Sequence, residues 1–339
     1  MSGFRVVVVG GGAIGLTSSL YLAREGYEVL LLEARRLFSG ASGSNLGILS
    51  YQLAVIDGLS PSEAEEAIQL HETLSEDTGY SIVSRDIIVP LRHALAVIPE
   101  YLRVLHRLIR VGASLRKVGG YGLSIVMPNT LLIDPGEYAE KLLQAVRSEG
   151  VEVLENARAT GLTVEGGRIS GVTLDSGEHI KGDLVLVAAG PWTDEILSSI
   201  GVKLGIRALK GYRITAKVRR ELDYVIGADP VFIRPHQERA DEVLIGGYKI
   251  EAPLTAGDLI DNERVESMLG TARKLGLEIE SMTETKAGLR PCLEEPLTGT
   301  LGWRGLVVST GHCRHGMLLA PLAASRVVAL VKRLLAGTR

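Results

Sequence analysis

The sequence is poor in cysteine, since Cys292 and Cys313 are the two that occur in 339 residues. Two cysteines are too few for a disulfide framework, so small secreted proteins built on such a framework are excluded. A single disulfide would be unusual in a reducing compartment, and we therefore expect free thiols and a cytoplasmic location. A peripheral contact with a membrane surface is left open.

An excess of positive charge is also missing, because 37 lysines and arginines face 40 acidic residues and give a formal net charge of −3. A protein that holds a nucleic acid backbone needs concentrated positive charge, so we expect a small-molecule substrate and no nucleic acid partner. No metal site is predicted from the sequence.

Long apolar runs are absent as well. A membrane-spanning helix needs roughly 18 or more such residues, and the apolar C-terminal segment is interrupted by Arg314, His315, Pro321 and Arg326. The valines at positions 6–9 run into a glycine turn rather than a cleavage site, which predicts a strand and no signal peptide. We expect a soluble protein without a transmembrane segment.

The sequence does contain enough apolar residues, 46% of the total, to build a core, and its length favours two packed domains. The apolar pattern predicts a buried strand at residues 5–9 and a helix at residues 13–25 that ends at Gly26. It predicts a second apolar strand at residues 27–33. This order of strand, helix and strand is typical of a parallel, doubly wound sheet.

The turn between the first strand and the helix has the spacing G-x-G-x-x-G, formed by Gly10, Gly12 and Gly15. Gly10 permits the tight turn, Gly12 lets the backbone approach a pyrophosphate, and Gly15 lets helix and strand pack closely. Glu33 is the last residue of the predicted second strand, 18 residues after Gly15, where it can accept hydrogen bonds from ribose hydroxyls. The pattern predicts a dinucleotide site without distinguishing FAD from NAD.

The rest of the chain alternates between apolar strands and helices, including predicted helices at residues 94–111 and 258–275. We predict an α/β fold in which a discontinuous Rossmann-type cofactor domain is interleaved with an α+β substrate domain on a mixed or antiparallel sheet. The predicted cofactor domain comprises residues 1–78, 131–205 and 288–339, and the predicted substrate domain comprises residues 79–130 and 206–287.

Six further motifs follow one another along the chain. They are GASGSNLG (40–47), Asp134-Pro135, VLVAAGPWT (185–193), Lys210-Gly211-Tyr212, GLRP (288–291) and GHCRHGMLLAP (311–321). With GGGAIG and Glu33, they make nearly the whole chain resemble the D-amino acid oxidase superfamily of FAD enzymes, in the branch of glycine oxidase, D-amino acid dehydrogenase and D-proline dehydrogenase. The resemblance implies FAD as the cofactor and oxidation of a small amino acid or secondary amine.

The resemblance also implies a set of cofactor-contacting residues. They are Gly10, Gly12, Ala13, Ile14, Gly15, Glu33, Ala34, Arg35, Ser42, Asn45, Leu46, Gly47, Ala159, Ala189, Gly190, Trp192, Gly311, His312, Gly316, Met317 and Leu318. Ala159 is expected beside the adenine, and the start of the last helix is expected to face the flavin ring with its positive dipole end. For His312, a purely structural hydrogen-bonding role is an open alternative. Arg35 and Arg36 suit either a 2′-phosphate or a solvated edge.

For the substrate, the resemblance points to Arg290 of the GLRP motif. A guanidinium fork matches a carboxylate with two parallel charge-assisted hydrogen bonds, which both holds and orients an amino acid. Arg314 is a second candidate near the substrate. Tyr212 and Tyr248 either frame the carboxylate or form an apolar wall. The expected reaction is hydride transfer from Cα to flavin N5, which gives an imine and needs no obligatory general base.

One departure from the family pattern and two alternative functions accompany this prediction. Relatives often have R-P-x-T-P-D where this chain has Arg-Pro-Cys-Leu-Glu-Glu-Pro, so the resemblance does not predict the loop after Arg290 or the substrate entrance. A covalent bond between a cysteine and the flavin is a minor alternative to free thiols. The alternative functions are an FAD-dependent 2-hydroxy acid or glycerol-3-phosphate dehydrogenase and a flavin-binding subunit of a hetero-oligomeric dehydrogenase. Oxygen, a quinone or a dye is the expected electron acceptor, and the oligomeric state is open.

Overall fold

One large sheet runs through the computed structural model, which describes residues 3–94, 105–254 and 260–336. Within these residues its strand order is β3-β6-β4-β13-β14-β15-β12-β16-β17-β11-β1-β2-β7, with β5 paired to β6, and a small second sheet has the order β10-β9-β8. The strands are β1 (Arg5–Val9), β2 (Glu28–Leu32), β3 (Ile48–Leu49), β4 (Val83–Pro90), β5 (Ser114–Val118), β6 (Gly122–Leu132), β7 (Glu152–Leu154), β8 (Ala159–Glu165), β9 (Arg168–Leu174), β10 (His179–Lys181), β11 (Leu184–Val187), β12 (Arg207–Val218), β13 (Val225–Ala228), β14 (Val231–Pro235), β15 (Glu242–Glu251), β16 (Ile279–Gly299) and β17 (Leu306–His312).

Helices of very different length cover this sheet. In chain order they are α1 (Ala13–Arg24), α2 (Tyr51–Ile56), α3 (Pro61–Thr78), α4 (Leu91–Ala94), α5 (Leu105–Arg110), α6 (Pro135–Ser148), α7 (Thr193–Leu197), α8 (Asn262–Lys274) and α9 (Gly316–Ala336). Local sequence explains several ends. Ser60 caps α3 and Asp134 caps α6, each followed by a proline in the first turn, and α3 ends at Gly79, which has a left-handed φ of 82°.

The strands at one end of the large sheet are parallel. Strand β1 pairs in parallel with β2 and β11, β11 pairs in parallel with β17, and β7 continues the same direction beside β2. Valines 6–9 are almost fully buried because helices α1, α3, α6 and α9 cover one face while the small sheet and α7 cover the other. This half is the predicted doubly wound unit, and the predicted α/β fold class is confirmed.

The other half of the sheet is mostly antiparallel. Strands β12, β14, β15 and β16 pair antiparallel, and α8 packs its buried side chains against their apolar face. The long strand β16 joins the halves because it pairs with β12 on one side and with β17 on the other. The proposed domain boundary between residues 287 and 288 lies inside this strand.

Two predicted helices differ in extent from the observed ones. Residues 95–104 of the helix predicted at 94–111, and residues 258–259 of the helix predicted at 258–275, lie outside the described residues. The described parts are helical at Leu105–Arg110 and at Asn262–Lys274, where Asp261 accepts hydrogen bonds from the first turn. Among the described helices, none combines the length and hydropathy that crossing a bilayer requires.

Candidate functional site

A cavity of about 790 Å³ opens where the parallel strands end. The segments that follow β1, β2, β11 and β17 all meet at this edge, since strands of one direction bring their carboxyl ends together. The cavity is lined by Val9, Gly10, Gly12–Ile14, Leu32–Arg35, Phe38–Ser42, Asn45, Ala157–Thr160, Asp175, Ala188–Trp192, Glu195, Ile196, Leu254, Leu289–Pro291, His312, Cys313, Gly316 and Met317.

The glycine turn is shaped by close backbone contacts. Gly10 has a φ of 111°, and a Cβ atom there would collide with the backbone of Ala188 and Ala189. Gly15 faces the carbonyl group of Gly10, so a side chain at position 15 has no room. Gly12 caps α1 without a side chain, which leaves the positive end of the helix dipole facing the cavity.

The carboxylate of Glu33 organises the turn beside it. Oε2 accepts a hydrogen bond from the backbone N–H of Gly11 at 2.8 Å, and Oε1 accepts one from the N–H of Arg35 at 2.9 Å. Each carboxylate oxygen has further acceptor capacity, and Glu33 lines the cavity. Glu33 therefore both fixes the loop and presents an acceptor to a ligand.

The loop at residues 38–47 packs against the glycine turn and against β16. Ser42 Oγ accepts a hydrogen bond from the N–H of Ala13 at 3.0 Å, and Ser44 Oγ donates to the carbonyl of Ala287 at 2.9 Å. Gly288 makes this approach possible, because a Cβ atom there would lie 2.8 Å from the Cα of Ala41. The loop thereby forms one wall of the cavity.

The strand order separates the two ends of the cavity. Four strand intervals lie between β2, which leads to Glu33, and β16, which carries Arg290. At about 4.8 Å per interval the two residues are roughly 19 Å apart. At the Glu33 end, the guanidinium of Arg35 lies 5.5 Å above the ring of Trp192, and Ala159 lines the same region. The cavity is therefore elongated, as an extended dinucleotide requires.

Arg290 lies at the far end, on β16. Its guanidinium occupies the space above Gly211, where a Cβ atom would come within 3.0 Å of Nε, so the glycine of the Lys210-Gly211-Tyr212 motif makes room for it. Its Nη1 donates to the carbonyl oxygen of Tyr248 at 3.3 Å. Within the part of the chain that the structure describes, Arg290 pairs with no carboxylate. Burial, and then the like charge of Arg314, lower its pKa to about 10, so it stays cationic at neutral pH.

Arg314 is held differently, because the carboxylate of Asp57 accepts hydrogen bonds from both its Nε and its Nη2. Nε2 of His315 lies 2.6 Å from Oδ2 of the same carboxylate. Burial alone would raise the pKa of Asp57, but the hydrogen bonds and charges of His315 and Arg314 outweigh it and lower that pKa. Asp57 is therefore ionised at neutral pH, and its negative charge is paired with the guanidinium of Arg314.

The two candidate tyrosines do not present their hydroxyls to the cavity. Tyr212 is 1% exposed and packs in the core against Tyr248 and α8. Its hydroxyl finds no hydrogen-bond partner in the part of the chain that the structure describes. The hydroxyl of Tyr248 donates to Ser267 on α8 at 2.7 Å. Tyr248 contributes its backbone carbonyl to Arg290 instead, from a backbone with φ of 66°. These contacts direct both hydroxyls away from the cavity, and a role of either tyrosine beside the substrate carboxylate stays a prediction.

His312 and the start of α9 form the wall between the two ends. Burial, with the charge of Arg326 as a smaller cause, lowers the pKa of His312 to about 4, so its ring is neutral at neutral pH. Gly316 and Met317 begin α9 and line the cavity, where the helix directs the positive end of its dipole. The carbonyl oxygen of Met317 lies 2.8 Å from Nε2 of the buried His71, which anchors this first turn.

The cysteines are not free, which corrects the expectation from their number. Cys292 and Cys313 form a disulfide, with Cα atoms 4.3 Å apart. The pairing of β16 with β17 places Cys292 opposite His312 and so brings it next to Cys313. A sulfur in this bond is not available to tether a flavin, and the cysteine count no longer supports a reducing location.

Some predicted residues support the cavity from outside its lining. Leu46 packs under Gly246, Gly47 fits beneath the carbonyl of Ile133 with a φ of 66°, and Leu318 is buried in the helical core. Gly15, Gly311 and Arg314 likewise are not among the lining residues.

Other lining residues were missed by the sequence reasoning. The lining residues outside the predicted set are Val9, Leu32, Phe38–Ala41, Ala157, Arg158, Thr160, Asp175, Ala188, Pro191, Glu195, Ile196, Leu254, Leu289, Pro291 and Cys313. Asp57 and His315 were also missed. The adjacency of His315 to Arg314 was the one available signal, since Asp57 follows a short helix far away in the chain.

The residues present fit an FAD. The glycine turn offers a close backbone approach that any Cβ atom would block, Glu33 offers an acceptor, and two helix N-termini face an elongated cavity of suitable size. These features are the donor and acceptor groups that an adenosine pyrophosphate and an anionic ring system need.

Comparison with known proteins gives a consistent result. The family model described as DAO, FAD dependent oxidoreductase, matches residues 5–330. The chain is 29% identical to a glycine oxidase of Pseudomonas aeruginosa over 348 residues, which covers 96% of this chain and 93% of that protein. It is 24% identical to a D-amino acid dehydrogenase of Rhizorhabdus wittichii, with 93% of each chain covered. The crystal structure of glycine oxidase from Geobacillus kaustophilus matches with a TM-score of 0.82 and 21% identity, over 97% of this chain and 95% of that one.

Proposed function

The chain belongs to the DAO family of FAD dependent oxidoreductases, and from this premise we propose that it oxidises a small amino acid or secondary amine that carries a carboxylate. The family match confirms the predicted resemblance, the predicted enzyme class and the FAD cofactor. Glycine oxidase and D-amino acid dehydrogenase, the relatives of similar length, support the amine as the group that is oxidised.

One observation carries the proposal. Arg290 is a cation in the cavity that no protein carboxylate neutralises within the described residues, and it lies at the end opposite the glycine turn. An unpaired guanidinium in a cavity is costly to bury unless an anion completes its hydrogen bonds. A substrate carboxylate supplies two parallel bonds to the fork, which fixes the position and the orientation of the neighbouring carbon.

We assign the cofactor to the glycine turn and its surroundings. Backbone N–H groups at Gly10, Gly12 and the start of α1 would hold the pyrophosphate, and Glu33 would hold the ribose. The loop at residues 40–47, the segment at 188–192 and the start of α9 would hold the ring system. When bound, FAD supplies the oxidising power for removal of a hydride from the substrate carbon next to the amine.

The protein's own part in the reaction is binding, orientation and exclusion of water. Arg290 holds the carboxylate, and the walls of the cavity remove the amine from water. Desolvation disfavours the ammonium form and lowers the pKa of the amine, which favours the neutral form that can be oxidised. His312 is neutral in this environment, and we propose no general base.

The test mixes the FAD-loaded chain anaerobically with each candidate substrate. Reduction of the flavin is measured as the loss of its absorbance. Two matched pairs distinguish an amine from an alcohol on the same skeleton: glycine with glycolate, and D-alanine with D-lactate. Sarcosine is compared with methoxyacetate, its ether analogue, which has no amine to oxidise. L-alanine and D-proline extend the panel. We expect at least one amine to bleach the flavin and its hydroxyl counterpart to leave it unchanged.

Bleaching by hydroxy acids alone would overturn the proposal in favour of a 2-hydroxy acid dehydrogenase. No bleaching by any amine in the single chain, with recovery on addition of a second subunit, would instead support a flavin-binding subunit of a larger enzyme. Reoxidation of the reduced chain by air or by a quinone then identifies the class of electron acceptor.

A further inference from the structure

Two guanidinium groups lie near the substrate end of the site, and their hydrogen-bond partners differ. Arg314 gives both Nε and Nη2 to the carboxylate of Asp57, whereas Arg290 is paired with no carboxylate among the described residues. The disulfide between Cys292 and Cys313, whose Cα atoms are 4.3 Å apart, brings the two together, because Arg290 lies two residues before Cys292 and Arg314 follows Cys313 directly. Two guanidinium groups that can bind a carboxylate therefore lie at or beside the substrate end, and Asp57 already occupies one of them.

Asp57 is well placed to keep Arg314 occupied. It is the C-terminal cap of α2, so a rigid backbone position sets its side chain, and that side chain is 28% exposed. His315 reinforces the pair from its other side, with Nε2 at 2.6 Å from Oδ2. Asp57 also offsets a third cation, because its charge acts on Lys249 together with those of Arg314 and Arg290.

We propose that Asp57 is a specificity-determining residue that fills Arg314 as an internal carboxylate and so restricts the enzyme to substrates with one carboxylate. This inference rests on the proposed function of Arg290. A dicarboxylic amine would have to displace Asp57 from Arg314, which would leave a partly buried carboxylate without its arginine and beside a second negative charge. A monocarboxylic amine meets no such obstacle, because Arg290 alone satisfies it.

The test uses ether analogues that carry no oxidisable amine. Methoxyacetate has one carboxylate, and diglycolate has the same central atom with a second carboxylate. Perturbation of the absorbance of bound FAD gives a dissociation constant for each ligand. We expect the wild-type protein to bind methoxyacetate more tightly than diglycolate. Asp57→Asn keeps the shape of the side chain and removes its charge. In this variant we expect the affinity for diglycolate, relative to that for methoxyacetate, to rise by about tenfold or more, which is the effect of one added hydrogen-bonded charge pair.

Asp77→Asn is the matched control. Asp77 also pairs with an arginine, Arg24, at 3.0 Å, but the pair lies on the outer helices and should leave the ratio unchanged. Asp57→Ser is the second variant, so that a folding defect of Asp57→Asn, detected by loss of bound FAD, does not decide the outcome. Its smaller side chain also frees Arg314, and it should shift the ratio in the same direction.

Sarcosine and iminodiacetate give the corresponding comparison for turnover. We expect Asp57→Asn to raise kcat/KM for iminodiacetate relative to sarcosine, mainly through KM. Wild-type binding of diglycolate as tightly as methoxyacetate would overturn the inference, as would an unchanged ratio in a folded Asp57 variant or binding of neither ligand. If the ratio shifts as expected but no amine reduces the flavin, the inference on the two forks stands and the proposed amine oxidation fails.

Discussion

The carbonyl group of Gly10 fills the space that a Cβ atom on Gly15 would need. This contact joins the end of β1 to the first turns of α1, and it sets how closely the helix N-terminus approaches the cavity. Two glycines five positions apart therefore determine the shape of the pyrophosphate site through sterics alone.

Gly15→Ala should abolish or strongly weaken FAD binding, because the added methyl group pushes α1 away from the turn. We expect the free energy of unfolding of the apoprotein to fall by about 2 kcal/mol or more, as for other overpacked sites. Gly270→Ala is the control, since that helical position is open and the change should stabilise the protein by about 0.5–1 kcal/mol. Titration with FAD and urea unfolding measure both effects. Normal FAD affinity in Gly15→Ala would contradict the prediction.

Arg290→Gln should lower kcat/KM for a carboxylate-bearing amine by about 100-fold or more, because two charge-assisted hydrogen bonds to the substrate are lost. FAD content should remain normal, since the residue lies at the opposite end of the cavity from Glu33. Arg219→Gln, at an exposed arginine, is the control for loss of a guanidinium. Steady-state kinetics with the best amine from the reduction panel provide the measurement, and an unchanged KM and kcat would remove Arg290 from the substrate site.

Acid should destabilise the protein through His71. The side chain is fully buried between Tyr80 and the carbonyl of Met317, and burial lowers its pKa to about 4. Between the usual value near 6.5 and pH 4, the unfolded chain binds a proton that the folded chain does not, so the free energy of unfolding falls as pH falls. The loss contributed by His71 approaches about 3 kcal/mol near pH 4 and vanishes above pH 6.5.

In His71→Gln, the free energy of unfolding should therefore fall less steeply between pH 6.5 and 4 than in the wild-type protein. This holds whatever the substitution does to the free energy of unfolding at pH 7. Urea unfolding at a series of pH values compares it with His179→Gln, which alters a histidine on the outer strand β10. Parallel profiles for wild type and His71→Gln would show that His71 does not carry the acid sensitivity.

The disulfide should contribute measurably to stability. It closes a loop of 21 residues between Cys292 and Cys313, for which the loop-entropy relation gives about 3 kcal/mol. The double variant Cys292→Ser/Cys313→Ser should lose about this amount in urea unfolding under non-reducing conditions. Alkylation in denaturant without reductant should modify no thiol, and prior reduction should expose both. Two reactive thiols before reduction would contradict the bond.

The sequence located the cofactor half well because its signals are local. The apolar run before Gly10, the glycine spacing and Glu33 lie within one short segment, and each reflects a steric or hydrogen-bonding need of that segment alone. The motifs around Ala189 and Gly316 also line the cavity, since each follows or precedes an element of the parallel sheet.

The substrate half was predicted less completely because its contacts depend on the register of distant strands. Tyr212 and Tyr248 lie on adjacent strands near Arg290, but the direction of each side chain is set by the pleat and by packing on α8. Their hydroxyls consequently point away from the position that the motif suggested.

The sequence by itself determined the dinucleotide turn and the doubly wound unit, because short-range sterics and spacing encode them. FAD as the cofactor followed from the resemblance to a family, and so did the predicted carboxylate-binding role of Arg290. The tertiary structure alone decided that Cys292 meets Cys313, that Gly211 opens space for Arg290, and that Asp57 neutralises Arg314. These contacts join residues that are far apart in the chain, or that lie on strands whose order in the sheet does not follow the sequence. Their formation follows from the pairing of whole strands and helices, which no local pattern specifies.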